Sequence, residues 1–197
     1  MAAVVTQPDK PRGRGKAPQA SPVKEKALEY GIPVLQPVKV REPEFVEELK
    51  KLAPEVMVVV AFGQILTREV LAVPAYGCIN VHASLLPMYR GAAPIQQVIL
   101  DGRQETGVTT MFMDEGLDTG DMLLRTVVPI APEETGGSLT EKLSAAGARF
   151  ALMTLRRLEE GTLERTPQTG ETCYAGMLEE VYGAHRLEPA GCGAGAA

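Results

Sequence analysis

Hydrophobic and polar positions alternate between two periods along this chain. Val4 and Val5 lie in a short β-branched run, Ala2–Thr6, which predicts a strand. Ser21-Pro22 opens a helix that Gly31 closes, with proline at the first helical position. Val34 and Leu35 suggest a second short strand. Phe45, Val46, Leu49 and Leu52 then recur at helical spacing between Glu42-Pro43 and Pro54. Val56 to Ala61 is apolar throughout, as expected of a central strand covered on both faces. A short helix from about Thr67 leads into a strand that begins at Cys78 and carries Asn80 and His82 at its end. Further on come a helix over Ala92–Leu100 and strands over Val108–Met113 and Met122–Ile130. A long helix follows, in which Ser138-Leu139-Thr140-Glu141 fits a capping box, Leu139, Leu143, Ala146, Phe150 and Met153 form the buried stripe, and Gly161 ends the helix. Alternating strands and helices imply right-handed βαβ units. The expected fold is α/β: a Rossmann-like, mostly parallel sheet flanked by helices.

Two stretches break the pattern. Gln7–Pro22 is rich in Pro, Gly and basic residues and reads as a loop without regular structure. Residues 178–197 lack periodicity and end in Gly and Ala, which predicts a disordered tail.

Among the 197 residues, 45% are hydrophobic, ordinary for a globular domain. No apolar run approaches the roughly 20 residues of a membrane span, and no signal peptide is evident, so a cytoplasmic protein is expected. Three cysteines (Cys78, Cys173 and Cys192) form no CxxC or zinc-like spacing, and two histidines argue against a histidine metal site. With a net charge of −5, nothing global suggests nucleic-acid binding. The first 26 residues, however, hold Lys10, Arg12, Arg14, Lys16, Lys24 and Lys26 against only Asp9 and Glu25, a local arm suited to phosphates.

The candidate chemistry sits at the end of the strand that begins at Cys78. Successive strand residues point to opposite faces, so Asn80 and His82 share one face while Ile79 and Val81 share the other. Ligands of open α/β sheets bind beyond the C-terminal ends of strands. A carboxamide beside an imidazole there is suited to polarising a carbonyl. Asp118 and Asp121 lie in a Gly-bounded loop, Gly116-Leu117-Asp118-Thr119-Gly120-Asp121. Loop acids of this kind are often simple turn formers. A carboxylate that meets His82 would also orient the ring and favour its charged form.

Several runs taken together carry a family resemblance. Asn80-Val81-His82-Ala83-Ser84-Leu85-Leu86-Pro87 resembles the folate-dependent formyltransferases. Tyr89-Arg90-Gly91-Ala92-Ala93-Pro94-Ile95-Gln96 resembles the branch acting on methionyl-tRNA, as do Thr6-Gln7-Pro8-Asp9, Gly13-Arg14-Gly15-Lys16, Ser21-Pro22-Val23-Lys24, Val58–Gly63 and the Gly116–Asp121 loop. The motifs fall in order from about Val4 to Met177. The resemblance implies transfer of a formyl group from 10-formyltetrahydrofolate to the α-amine of initiator methionyl-tRNA, with no metal and by a monomer. It assigns catalysis to Asn80, His82 and Asp118. It assigns the folate pocket to Phe62, Gly63, Ile65, Leu66, Ser84, Leu85, Leu86, Pro87, Glu115, Gly116, Leu117 and Thr119, and tRNA contact to Arg12, Arg14 and Lys16.

By the same resemblance, residues 1–177 form the catalytic domain, starting after the family's first βα unit, and the family's C-terminal tRNA-binding barrel is absent. Such a chain is expected to formylate weakly or not at all. The Asn-x-His and Asp-loop core also suits a glycinamide ribonucleotide or sugar-amine formyltransferase, a formyltetrahydrofolate deformylase, or a chain that holds folate or tRNA without chemistry.

Overall fold

The computed structural model describes residues 1–11 and 18–177. The chain divides into two compact units, the first made of residues 1–57 and 62–77, the second of residues 58–61 and those from 78 onward.

In the first unit, β1 (Val4–Val5) pairs in parallel with a strand thirty residues later, and a two-residue antiparallel ladder joins β2 (Lys10–Pro11) to β3 (Pro18–Gln19). That ladder corrects the expectation of an entirely irregular Gln7–Pro22 segment. Proline supplies no ladder N–H, yet it is tolerated at the border of a short antiparallel pair. Helix α1 (Pro22–Glu29) is capped by Ser21, whose Oγ accepts from Lys24 N at 3.1 Å. It leads to β4 (Val34–Leu35), the partner of β1.

Helix α2 (Pro43–Leu52) buries Phe45, Val46 and Leu49 as the spacing predicts, each burial worth about 1.5–3 kcal/mol. Leu52, at its end, stays exposed. Strand β5 (Met57–Val59) and helix α3 (Arg68–Leu71) follow. A polar network ties the foot of the β2–β3 ladder to β4. Lys24 Nζ donates to Asp9 Oδ2 and Gln36 Oε1, both at 2.7 Å, and Gln36 Nε2 donates to Asp9 Oδ1 and to the Gln7 carbonyl.

The second unit is built on a four-stranded sheet of order β5-β6-β8-β9, with β6 at Cys78–His82, β8 at Glu105–Phe112 and β9 at Met122–Pro129. Between β6 and β8 come β7 (Arg90–Gly91) and helix α4 (Pro94–Leu100). The α/β class is as expected, and both parallel and antiparallel pairings occur. β6, β8 and β9 pair antiparallel, whereas β7 pairs in parallel with the short β10 (Tyr174–Ala175). Strand β8 is buried from Thr106 to Phe112, so it is the inner strand of this set.

The expectation of a central strand over Val56–Ala61 is not met among the described residues. β5 stands at one end of the sheet order, and Val58 and Val60 are 41% and 60% exposed. An apolar run signals a tendency to be covered, and does not say which neighbour covers it.

Helix α5 (Gly136–Glu159) lies against β8, β9 and β6. Its cap is three residues earlier than expected. Thr135 is the N-cap, with Ser138 completing a reciprocal box, because Ser138 reaches back to the Thr135 N–H. The buried face is Leu139, Leu143, Gly147 and Thr154, with Ala146 packed partly against it. Gly147 is what lets the helix approach the sheet: a Cβ there would stand 3.2 Å from Val81 Cγ1. Thr154 Oγ1 and Thr110 Oγ1 bond at 2.8 Å across the same interface. The core, Val98, Val108, Leu139, Leu143, Tyr89, Cys173 and Ala175, therefore backs the strand that carries Asn80 and His82.

Candidate active site

Strand β6 places Asn80 and His82 on one face, opposite Val81, which faces α5. Antiparallel pairing sets Asn80 beside Met111 and His82 beside Thr109. The loop after β8 brings Asp118 to that face. Asp118 Oδ1 accepts from Asn80 Nδ2 at 3.3 Å, and Oδ2 lies 3.7 Å from His82 Nδ1. Oδ2 also accepts from Gly91 N at 2.8 Å. The His82 and Asp118 side chains are 7% and 13% exposed, so the pair is shielded while one edge remains accessible.

The other nitrogen of His82, Nε2, lies 2.8 Å from the Tyr89 carbonyl. A carbonyl can only accept, so Nε2 carries a proton and Nδ1 is the nitrogen turned towards Asp118. Tyr89 is fixed for this task. It adopts φ +59, its N–H donates to Cys173 Sγ at 3.2 Å, and its hydroxyl donates to Asp101 Oδ2 and accepts from Arg103 Nε. Burial is the main reason its phenol is pushed up from the ordinary value. Gly91 has φ +107, and a Cβ there would come within 2.7 Å of the Ala175 carbonyl oxygen, so only glycine lets β10 approach the peptide that holds Asp118.

A cluster of one carboxamide, one imidazole whose Nδ1 faces a carboxylate, and that carboxylate can bind a carbonyl oxygen and shuttle a proton beside it. A model of the family described as "Formyl transferase" matches residues 1–155. This chain belongs to the formyl transferase family.

Curated formyl transferases agree with the assignment. The chain is 60% identical over 184 residues to the methionyl-tRNA formyltransferase of Agathobacter rectalis, covering 93% of this chain and 59% of that protein. The corresponding protein of Alkaliphilus metalliredigens is 55% identical, with the same coverage. The chain thus spans about three-fifths of the length of these relatives. Among solved structures, phosphoribosylglycinamide formyltransferase from Bacillus halodurans superimposes with a TM-score of 0.68 at 28% identity, covering 80% of this chain and 79% of that one. Glycinamide ribonucleotide transformylase 1 from Symbiobacterium toebii shares the fold, with a TM-score of 0.71 at 20% identity over 85% of this chain and 80% of that one.

The residues read from the sequence as lining the formyl transferase folate pocket fall into two groups. In the second unit, Leu117 is exposed, Thr119, Leu85 and Pro87 are half-buried, and Glu115 and Gly116 are exposed on the loop. Ser84 and Leu86 are turned inward. Ser84 Oγ donates to the Met88 carbonyl, and Leu86 is fully buried with Met111 and Met122. They shape the loop from beneath, because Thr109 Oγ1 bridges the Ser84 carbonyl and Leu86 N. In the first unit, Gly63 (φ +75) and Ile65 are exposed, Phe62 is half-buried with its carbonyl accepting from Gln7 Nε2, and Leu66 is buried. Arg12, Arg14 and Lys16 lie outside the described residues.

Sequence reasoning missed three contributors: Gly91, Tyr89 and Gln168. The first two lie within a quoted motif, and their spacing from His82 carried no hint of contact. Gln168 Nε2 donates to the carbonyls of Asp118 and Gly120, and its Oε1 accepts from Arg90. Nothing in its neighbourhood along the chain marks it.

Proposed function

We propose that this chain carries the catalytic part of a methionyl-tRNA formyltransferase, moving a formyl group from 10-formyltetrahydrofolate to the α-amine of initiator methionyl-tRNA. The observation that carries the reading is the meeting of Asn80, His82 and Asp118 at the end of β6. The relatives at 55–60% identity support the choice of acceptor.

In this reading, Asn80 Nδ2 and a protonated His82 Nδ1 donate to the formyl oxygen as the amine attacks and negative charge develops there. Each such donor is typically worth about 3–4 kcal/mol of the barrier. Tyr89 holds Nε2, so the ring cannot turn its other nitrogen to the substrate. Asp118 balances the imidazolium and accepts the proton of the attacking amine, passing it towards the departing nitrogen of the donor. Exposed Leu117 and the half-buried Leu85 and Pro87 offer apolar surface to the donor's ring system. The basic residues Arg12, Arg14 and Lys16 meet the phosphates of the tRNA acceptor end. The protein acts as a monomer.

The test is a formyl-transfer assay with 10-formyltetrahydrofolate and methionyl-tRNA, run on this chain and on a version extended to the length of its relatives. Transfer that disappears with His82→Ala is expected. Transfer that survives His82→Ala, or that is absent from both versions, would overturn the reading.

A further inference from the structure

We infer that Gln168 is a positioning residue for Asp118, acting through a strap that crosses the back of the site. This rests on the functional reading above and adds to it a residue remote in sequence from every motif that carries the reading.

Gln168 uses its whole hydrogen-bonding capacity. Nε2 donates to the Asp118 and Gly120 carbonyls, both at 2.8 Å, and Oε1 accepts from Arg90 Nε at 3.0 Å and from a terminal Arg90 nitrogen at 2.7 Å. The amide orientation follows from chemistry: a flipped amide would set its NH₂ against a guanidinium and its oxygen against two carbonyls. Asp118 holds φ +53, a left-handed backbone that few non-glycine residues adopt and that the Gln168 bond to its carbonyl helps to fix.

The contacts also brace both ends of one bond. Asp118 Oδ2 accepts from Gly91 N, and Gln168 grips the main chain of Asp118 on one side and the side chain of Arg90, the neighbour of Gly91, on the other. A shift of the acidic loop away from β7 therefore has to break the Gln168 contacts as well as the Gly91–Asp118 bond.

Gln168 is itself held. Arg165 stacks over the Phe112 ring at 3.9 Å, and Thr166 exchanges two 2.9 Å backbone bonds with Met122. Further on, Thr172 Oγ1 donates to the Pro87 carbonyl, and Tyr174–Ala175 pairs with Arg90–Gly91. Residues 165–175 thus form a strap fastened on both sides of Gln168, and a fixed scaffold is what a positioning contact requires.

The experiment compares Gln168→Glu and Gln168→Met with the unaltered full chain by site-resolved amide hydrogen exchange and by formyl transfer. Glutamate preserves size and strengthens the pairing with Arg90, yet faces both carbonyls with an oxygen. Methionine keeps the bulk and removes the polar clamp. In both variants the Gly91 amide is expected to exchange about fivefold faster or more while the Val108 amide of the core is unchanged. The kcat is expected to fall about tenfold or more, with KM for 10-formyltetrahydrofolate and for methionyl-tRNA within about twofold. Unchanged Gly91 exchange in both variants overturns the proposal whatever the activity. Equal acceleration at Val108 also overturns it, since that would mark general loosening. Failure of the functional reading looks different: formyl transfer is absent from both this chain and the version extended to its relatives' length, or is indifferent to His82→Ala, while Gly91 exchange still responds to Gln168.

Discussion

Asp118→Asn is the substitution that isolates the charge at the centre of the site. Asparagine has nearly the same volume and tolerates the left-handed backbone at φ +53, so strain does not enter. The carboxylate accepts from two donors, Gly91 N at 2.8 Å and Asn80 Nδ2 at 3.3 Å. A carboxamide offers one oxygen. It will keep the shorter bond to Gly91, now without charge assistance, and turn its NH₂ towards that of Asn80. Hydrogen bonds to charged groups contribute about 1.5–3 kcal/mol and neutral ones about 0.5–1.5, so exchanging two of the former for one of the latter loses about 2–5 kcal/mol, at least about thirtyfold in the folding equilibrium. Urea unfolding followed by circular dichroism measures it. In the transfer assay, loss of the counter-charge to His82 Nδ1 and of the grip on Asn80 should lower kcat by about 10²–10³. Asp118→Ala adds backbone strain of about 1–2 kcal/mol and should unfold at lower urea still. An Asp118→Asn protein within about 0.5 kcal/mol of the original would refute the reasoning, because it would mean that the two donors find equal partners without the carboxylate.

Two further expectations concern the scaffold. Gly91→Ala forces a Cβ to within 2.7 Å of the Ala175 oxygen at φ +107, and should cost at least about 2 kcal/mol, seen as a fall in melting temperature of about 4–8 °C. At the start of α5, Glu134 is held down to about 2, first by its hydrogen bond from Lys142 and then by that from Ser138. A carboxylate depressed in the folded state adds stability that is complete above its unfolded value of 4.5 and is lost as pH falls from there through about 2. Melting temperature should therefore drop less steeply between pH 5 and about pH 2 for Glu134→Gln than for the unaltered chain; parallel curves would count against the assignment.

Much of the site was legible because it rests on local periodicity. Asn80 and His82 had to share a face once β6 was recognised, since a strand repeats every two residues. Ser21 and Gly31 marked the two ends of α1, and Phe45, Val46 and Leu49 marked its successor's buried face, for similarly local reasons. The cap of α5 was misplaced because Thr135 and Ser138 both carry hydroxyls and both suit the role; the helix takes in Gly136 and Gly137, two poor helix formers, and so starts one turn earlier. The inward turn of Ser84 and Leu86 was hidden because an irregular loop has no period to read.

The sequence by itself determined the α/β elements, the face that Asn80 and His82 share, and the acidic loop able to supply a third group. Only the tertiary structure decided that Asp118 meets them across 38 residues of chain, that Tyr89 selects the nitrogen His82 presents, and that Gln168 reaches back 50 residues to hold the Asp118 carbonyl. Periodicity follows from backbone geometry within a few residues. Contacts between loops depend on how the core of β8 and α5 brings distant peptides together, and that information is spread over the whole packed unit.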